Sequence, residues 1–261
     1  MTLLEVEDLG ITFGGLKAVS EVSFSVNANE IVGLIGPNGA GKTTVFNLLT
    51  NVYEPTTGSI RMNGKSTVGL KPYRTVTAGL ARTFQNIRLF DGMTAVENVK
   101  TGFHQKGNYG LGTALLRLPR YWREERQERE RAMELLAIFG MADVAGLEAG
   151  NLPYGQQRKL EICRALATEP KLLLLDEPAA GMNPTETKEL MDTIRLVKDR
   201  FGIAVLLIEH DMNLVMGICT RLIVLNYGRI LTVGTPDEVR ANPDVIAAYL
   251  GSEGDPDAVV S

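Results

Sequence analysis

Ile31-Val32-Gly33-Leu34-Ile35-Gly36-Pro37-Asn38-Gly39-Ala40-Gly41-Lys42-Thr43-Thr44 carries an unbroken apolar run into a glycine-studded bend, and beyond it Thr44 to Leu49 has helical character. An apolar run of this kind suits a strand buried on both faces of a parallel sheet. Gly36 to Thr43 fits the phosphate-loop spacing in full, and it lies between strand and helix as that motif requires. Glycines let successive backbone N–H groups turn inward toward phosphate oxygens, and the following helix adds the positive end of its dipole. Lys42 is long enough to reach the β and γ oxygens of a nucleoside triphosphate, and the Thr43 hydroxyl suits Mg²⁺.

Upstream, residues 3 to 36 read as short strands, punctuated by Gly14-Gly15 and the polar turn Asn27-Ala28-Asn29. Gly58 to Gly64 reads as another short strand ending in a turn. Residues 104 to 135 pass from a glycine-rich loop into the mixed charges of Arg123 to Arg131, which predicts a helix with a solvated face. Next come a helix from about Gly155 ended by Pro170, a buried strand Leu172 to Leu175, a helix from about Thr185 to Phe201 and a strand Ile203 to Ile208. Such alternation predicts parallel crossover units. Ile223 to Val233, interrupted by Asn226-Tyr227-Gly228, predicts an antiparallel hairpin. Gly251 to Ser261 is small and acidic and is expected to fray.

Leu172-Leu173-Leu174-Leu175-Asp176-Glu177 sets two carboxylates at the carboxyl end of a buried strand, the edge of an open α/β sheet where ligands bind. Asp176 is the candidate for the magnesium shell, and Glu177 for the group that polarises an attacking water. Taken alone, such acids equally well begin loops or cap helices. His210 follows the next strand, and its imidazole suits a γ-phosphate; Asp211 is free to cap the helix after it. Gln85 by itself reads as a surface glutamine, although an amide there reaches both metal and water. Phe13 is either core or, beside Gly14-Gly15, a face for adenine. His104 is given no role.

The 261 residues are 44% hydrophobic and 22% charged, which permits a sizeable core. A net charge of −4 argues against a nucleic-acid partner. Cys163 and Cys219 lack metal spacing and sit in apolar helical patterns, so both read as reduced core residues. No secretory signal is visible at the start, and the apolar runs are far below the ~20 residues needed to span a bilayer.

In this order the motifs resemble the ATP-binding subunit of ABC transporters over about residues 3 to 250. The resemblance implies an α/β P-loop NTPase core with a mixed, largely parallel sheet, an antiparallel β subdomain and an inserted α-helical subdomain. Residues 1–89 and 166–250 would form the core, 90–165 the helical insertion and 251–261 a flexible tail. It assigns Phe13 to adenine, Gly36, Pro37, Asn38, Gly39, Ala40, Gly41, Lys42, Thr43 and Thr44 to the phosphates, and Thr43, Gln85 and Asp176 to Mg²⁺. Glu177, Gln85 and His210 become the catalytic set. Two departures stand out: Phe13 replaces the commoner tyrosine, and the signature usually written Leu-Ser-Gly-Gly-Gln is here Leu152-Pro153-Tyr154-Gly155-Gln156. Proline supplies neither the hydroxyl nor an N–H to the γ-phosphate of ATP on an opposing subunit, leaving Gly155 and Gln156.

This variant signature is similar to that of bacterial uptake systems for branched-chain, hydrophobic amino acids. The implied assembly is a head-to-tail pair of ATPase subunits, alike or different, under two membrane permease subunits at the cytoplasmic face, with a solute-binding protein acting indirectly. The permeases would dock near Gln85 to Val99. Rival readings are a lipid or lipopolysaccharide exporter, a soluble ABC protein acting on DNA or ribosomes, a small-molecule P-loop kinase and a non-hydrolysing interaction module. The soluble ABC rival lacks support, because the sequence has one cassette and no extended heptads.

Overall fold

The computed structural model describes residues 1–103 and 119–250, which fall into two compact units. One holds Met1–Gln85 and the chain from Lys171 onward; the other is Asn86–Pro170. Sequence had suggested breaks after 89 and 165, so the division lies a few residues outside each. His104, the glycine-rich loop and the tail 251–261 lie outside the described residues.

The first unit contains two sheets. β1 (Thr2–Phe13) pairs antiparallel with β2 (Leu16–Asn27) and β4 (Thr57–Met62), and β5 (Lys65–Ser66) completes the order β2-β1-β4-β5. The expected short strands are in fact two strands of twelve residues each. Their alternation is hidden because Asp8 and Glu21 sit at positive φ beside register shifts, which turn side chains out of phase.

The second sheet runs β10-β9-β3-β8-β7-β6, from β3 (Ile31–Ile35), β6 (Leu80–Arg82), β7 (Leu172–Asp176), β8 (Ala204–Ile208), β9 (Arg221–Asn226) and β10 (Arg229–Gly234). All its pairs are parallel except β9 with β10. Every residue of β3, β7 and β8 is buried, the physical counterpart of their apolar runs. Tyr227 and Gly228 both have positive φ, so the β9–β10 hairpin closes through a two-residue turn. Helix α1 (Lys42–Leu49) places Val45, Phe46, Leu48 and Leu49 in one core with both sheets. Parallel order has a consequence for the site: the carboxyl ends of β3, β8, β7 and β6 stand in a row on one edge.

In the helical unit, α3 (Ala95–Phe103), α4 (Pro119–Ile138) and α5 (Tyr154–Leu166) follow one another, and α2 (Pro72–Thr77) belongs to the first unit. Val96, Val99, Phe103, Leu136, Leu160 and Ile162 are buried here. Helix α5 stops at Leu166, before Pro170, and Glu169 adopts positive φ in the turn between. Back in the first unit, α6 (Pro184–Phe201) opens with a capping box from Asn183 and Glu186, and Asp211 caps α7 (Met212–Ile218) as its sequence position suggested. Short helices α8 (Pro236–Ala241) and α9 (Pro243–Leu250) end the described chain.

Candidate active site

Gly36 leaves β3 with φ 148°, and a Cβ there would sit 2.1 Å from the Leu225 carbonyl oxygen, so no larger residue fits. Gly41 takes φ 102° as the N-cap of α1. Between them the loop folds over Lys42, whose Nζ donates to the carbonyl oxygens of Gly36 at 2.6 Å and Pro37 at 2.9 Å. Burial pushes the Lys42 ammonium below the usual lysine range, while the Glu177 carboxylate pulls it back up. The amine therefore waits inside a bend of backbone amides, with Thr43 exposed beside it.

Glu177 follows β7 directly and has φ 46°, a left-handed conformation that costs a non-glycine residue on the order of 1–3 kcal/mol. Its N–H donates to the Ile208 carbonyl at 2.9 Å, which ties the turn to the end of β8. Glu177 thus projects where two neighbours converge: Gln85 Nε2 donates to its Oε2 at 2.5 Å, and His210 Nδ1 lies 3.6 Å from its Oε1. A carboxylate, an amide and an imidazole from three strand ends meet in this way, within reach of the charge on Lys42. The arrangement suits orienting a water and moving its proton.

Asp176 points differently. Its Oδ2 accepts from Arg82 Nη2 at 2.7 Å, with both side chains nearly buried. Arg82 also donates to Asn47 Oδ1 at 2.8 Å and Thr50 Oγ1 at 3.2 Å, between the rings of Phe46 and Phe84. Among the described residues no group of three acidic, histidine or cysteine side chains is placed to cage a metal. One carboxylate with one hydroxyl nevertheless fits Mg²⁺, which keeps few protein ligands and takes the rest of its shell from phosphates and water.

Phe13 is half exposed and meets Tyr53 edge to face, ring centroids 5.2 Å apart. Gly155 and Gln156 lie in the other unit, in the first turn of α5, whose N-cap Pro153 makes no side-chain cap bond. Gln156 Oε1 is buried without a hydrogen-bond partner. Sequence reading missed Arg82 and Glu209. A cation inside a three-residue apolar strand and an acid between Ile208 and His210 were the available signals.

Residues 19–180 match the family described as ABC transporter. The chain belongs to the ABC transporter family. It is the ATPase member, and among the described residues no helix is long and apolar enough to cross a membrane. Residues 229–255 of this ABC ATPase also match a segment described as branched-chain amino acid ATP-binding cassette transporter. The chain is 49% identical over 249 residues to the high-affinity branched-chain amino acid transport ATP-binding protein LivG of Escherichia coli, covering 95% of this chain and 98% of the relative. It is 48% identical over the same length to BraF of Pseudomonas aeruginosa, a protein of the same description, with the same coverage. Among solved structures, the ADP conformation of an ATP-binding cassette of an ABC transporter superposes with TM-score 0.84 at 31% identity, covering 96% of this chain and 99% of that one.

Proposed function

We infer that this chain is the ATP-hydrolysing subunit of a system importing branched-chain or other hydrophobic amino acids. The observation that carries the hydrolytic part is the convergence of Gln85 and His210 on Glu177, beside the buried Lys42. The solute rests on similarity to LivG and BraF and on the match at residues 229–255.

In this reading the amides of Gly36 to Thr44, with Lys42, hold the triphosphate of ATP, and Phe13 offers its ring to adenine. Thr43, Asp176 and Gln85 are the residues that would hold Mg²⁺. Bound there, it would neutralise phosphate charge. Glu177 takes the proton of the attacking water, and His210 donates a hydrogen bond toward the γ-phosphate. Gly155 and Gln156 serve ATP held on a second ATPase subunit, since each chain contributes half of each site. Two permease subunits anchor the pair at the cytoplasmic face of the membrane, and a solute-binding protein delivers cargo to them.

The test is Glu177→Gln. Turnover should fall about 10²–10⁴-fold, the usual contribution of a positioned proton acceptor, with ATP affinity retained. Normal phosphate release from that variant would remove Glu177 from its role.

A further inference from the structure

We propose that Glu209 is a positioning residue for hydrolysis: its buried carboxylate clamps the loop bearing Glu177 to the loop bearing His210. Glu209 is 2% exposed and directly follows β8. One oxygen, Oε1, accepts the Ala179 N–H at 2.8 Å, two residues beyond Glu177. The other, Oε2, accepts the N–H groups of His210 at 3.1 Å and Asp211 at 3.3 Å. One side chain therefore spans two loops that are 30 residues apart in sequence.

An ionised carboxylate fits this place. Three N–H groups point at two oxygens, and an ionised carboxylate has acceptors alone. Glutamine has the same shape, yet its NH₂ would face an N–H and push one loop away. Together with the Glu177 N–H bond to Ile208, this bridge ties the strained Glu177 turn to the neighbouring strand end. Burial drives the Glu209 carboxyl above its usual range while the three N–H donors hold it down, so a carboxyl is buried here at a cost that plain packing would avoid. That cost is understandable where a displacement of about 1 Å in the reacting groups can reduce rate a hundredfold.

The inference rests on the proposed roles of Glu177 and His210, so four variants of the full chain, Glu209→Gln, His210→Ala, the two combined and Glu177→Gln, are compared by steady-state phosphate release, nucleotide affinity and melting. Glu209→Gln is expected to lower kcat about tenfold or more while the KM for ATP stays within about twofold. In a His210→Ala background the same change should cost less than in the unsubstituted chain, because one of the two groups that the clamp holds in register is gone. An unchanged kcat, or a loss that multiplies with that of His210→Ala, overturns the proposal. If Glu209→Gln does not fold, Glu209→Asp, which keeps the charge but shortens the span, is measured against the same two criteria. Glu177→Gln separates the two readings: full activity there defeats the site itself, whereas an inactive Glu177→Gln beside a normal Glu209→Gln defeats only the clamp.

Discussion

In each unit an arginine is buried against a carboxylate, and the two pairs differ in kind. Arg158 and Glu161 lie three residues apart on α5, 2.8 Å from Nη1 to Oε2, with side chains 0% and 2% exposed. Arg82 and Asp176 come from neighbouring strands, 94 residues apart, and meet at 2.7 Å. Around the helical pair, Arg158 also donates to the Tyr154 hydroxyl and Glu161 accepts from the Arg88 N–H, all within the same unit. The sheet pair ends at the edge where Glu177, Lys42 and His210 gather, and in the proposed function magnesium would give its acid a second cation. On the proposed function, charge is buried for architecture in one unit and beside a metal site in the other.

Removing an arginine from each pair should break the comparison if it is wrong. Both Arg158→Met and Arg82→Met strand a buried carboxylate, a loss of about 3–5 kcal/mol, or roughly 10 °C in melting temperature. Mg-ATP at a hundredfold excess over its Kd adds about 2.7 kcal/mol to any form that binds it normally. Arg158→Met should gain that much and no more. Arg82→Met should gain more than the unsubstituted chain in the presence of magnesium, and lose the excess with EDTA, because Asp176 recovers a counter-charge. Equal ligand-induced shifts in both variants would show that magnesium comes no nearer to Asp176 than to Glu161.

The same contrast explains what could be read from the residues alone. The phosphate loop and the strands β3, β7 and β8 were legible because their signals are local: a continuous apolar run means burial on both faces, and glycines at fixed offsets mean a particular bend. Asp176, Glu177 and His210 could be named as candidates from their places at or just after the ends of such strands. Arg82, Arg158, Glu161 and Glu209 were not, because a charged residue in one sequence ordinarily signals solvent and only its distant or buried partner says otherwise. Gln85 shows the limit: taken alone it was a surface glutamine, and what distinguishes it is a hydrogen bond to a residue 92 positions away. The length of β1 and β2 escaped for another reason, since Asp8 and Glu21 at positive φ break the two-residue alternation.

Asn98 sharpens the comparison by asking what a neutral node contributes to the helical unit. It is fully buried; its Oδ1 accepts the Phe90 N–H at 2.9 Å, and its Nδ2 donates to the carbonyls of Phe90, Met93 and Thr94. Asn98→Ala leaves the buried Phe90 N–H without its partner, while the three carbonyls keep the N–H groups of Met93, Ala149 and residue 98; it should destabilise by about 1–3 kcal/mol, less than Arg158→Met, in a thermal or urea melt. A loss equal to that of the charged pair would mean that lost hydrogen bonds, and not stranded charge, set the scale there.

The smallest effect is expected at the start of α5, the one place in the helical unit with a proposed part in catalysis. Pro153 occupies the N-cap with φ −55° and ψ 150°, a backbone that serine adopts without strain, and its carbonyl already accepts the Gln157 N–H at 2.9 Å. Pro153→Ser keeps that bond and adds a hydroxyl able to accept from the first-turn N–H groups, a gain of about 1 kcal/mol. Losing proline frees the unfolded chain and offsets roughly half of this. The net should be about 0.5 kcal/mol, or 1–2 °C in melting temperature. The same hydroxyl should lower the KM for ATP severalfold if this helix start faces a γ-phosphate on a second subunit, because a hydrogen bond to a charged group contributes about 1.5–3 kcal/mol before its cost of ordering. A stabilised chain with an unchanged KM would assign α5 to architecture alone and leave all nucleotide recognition to the sheet edge.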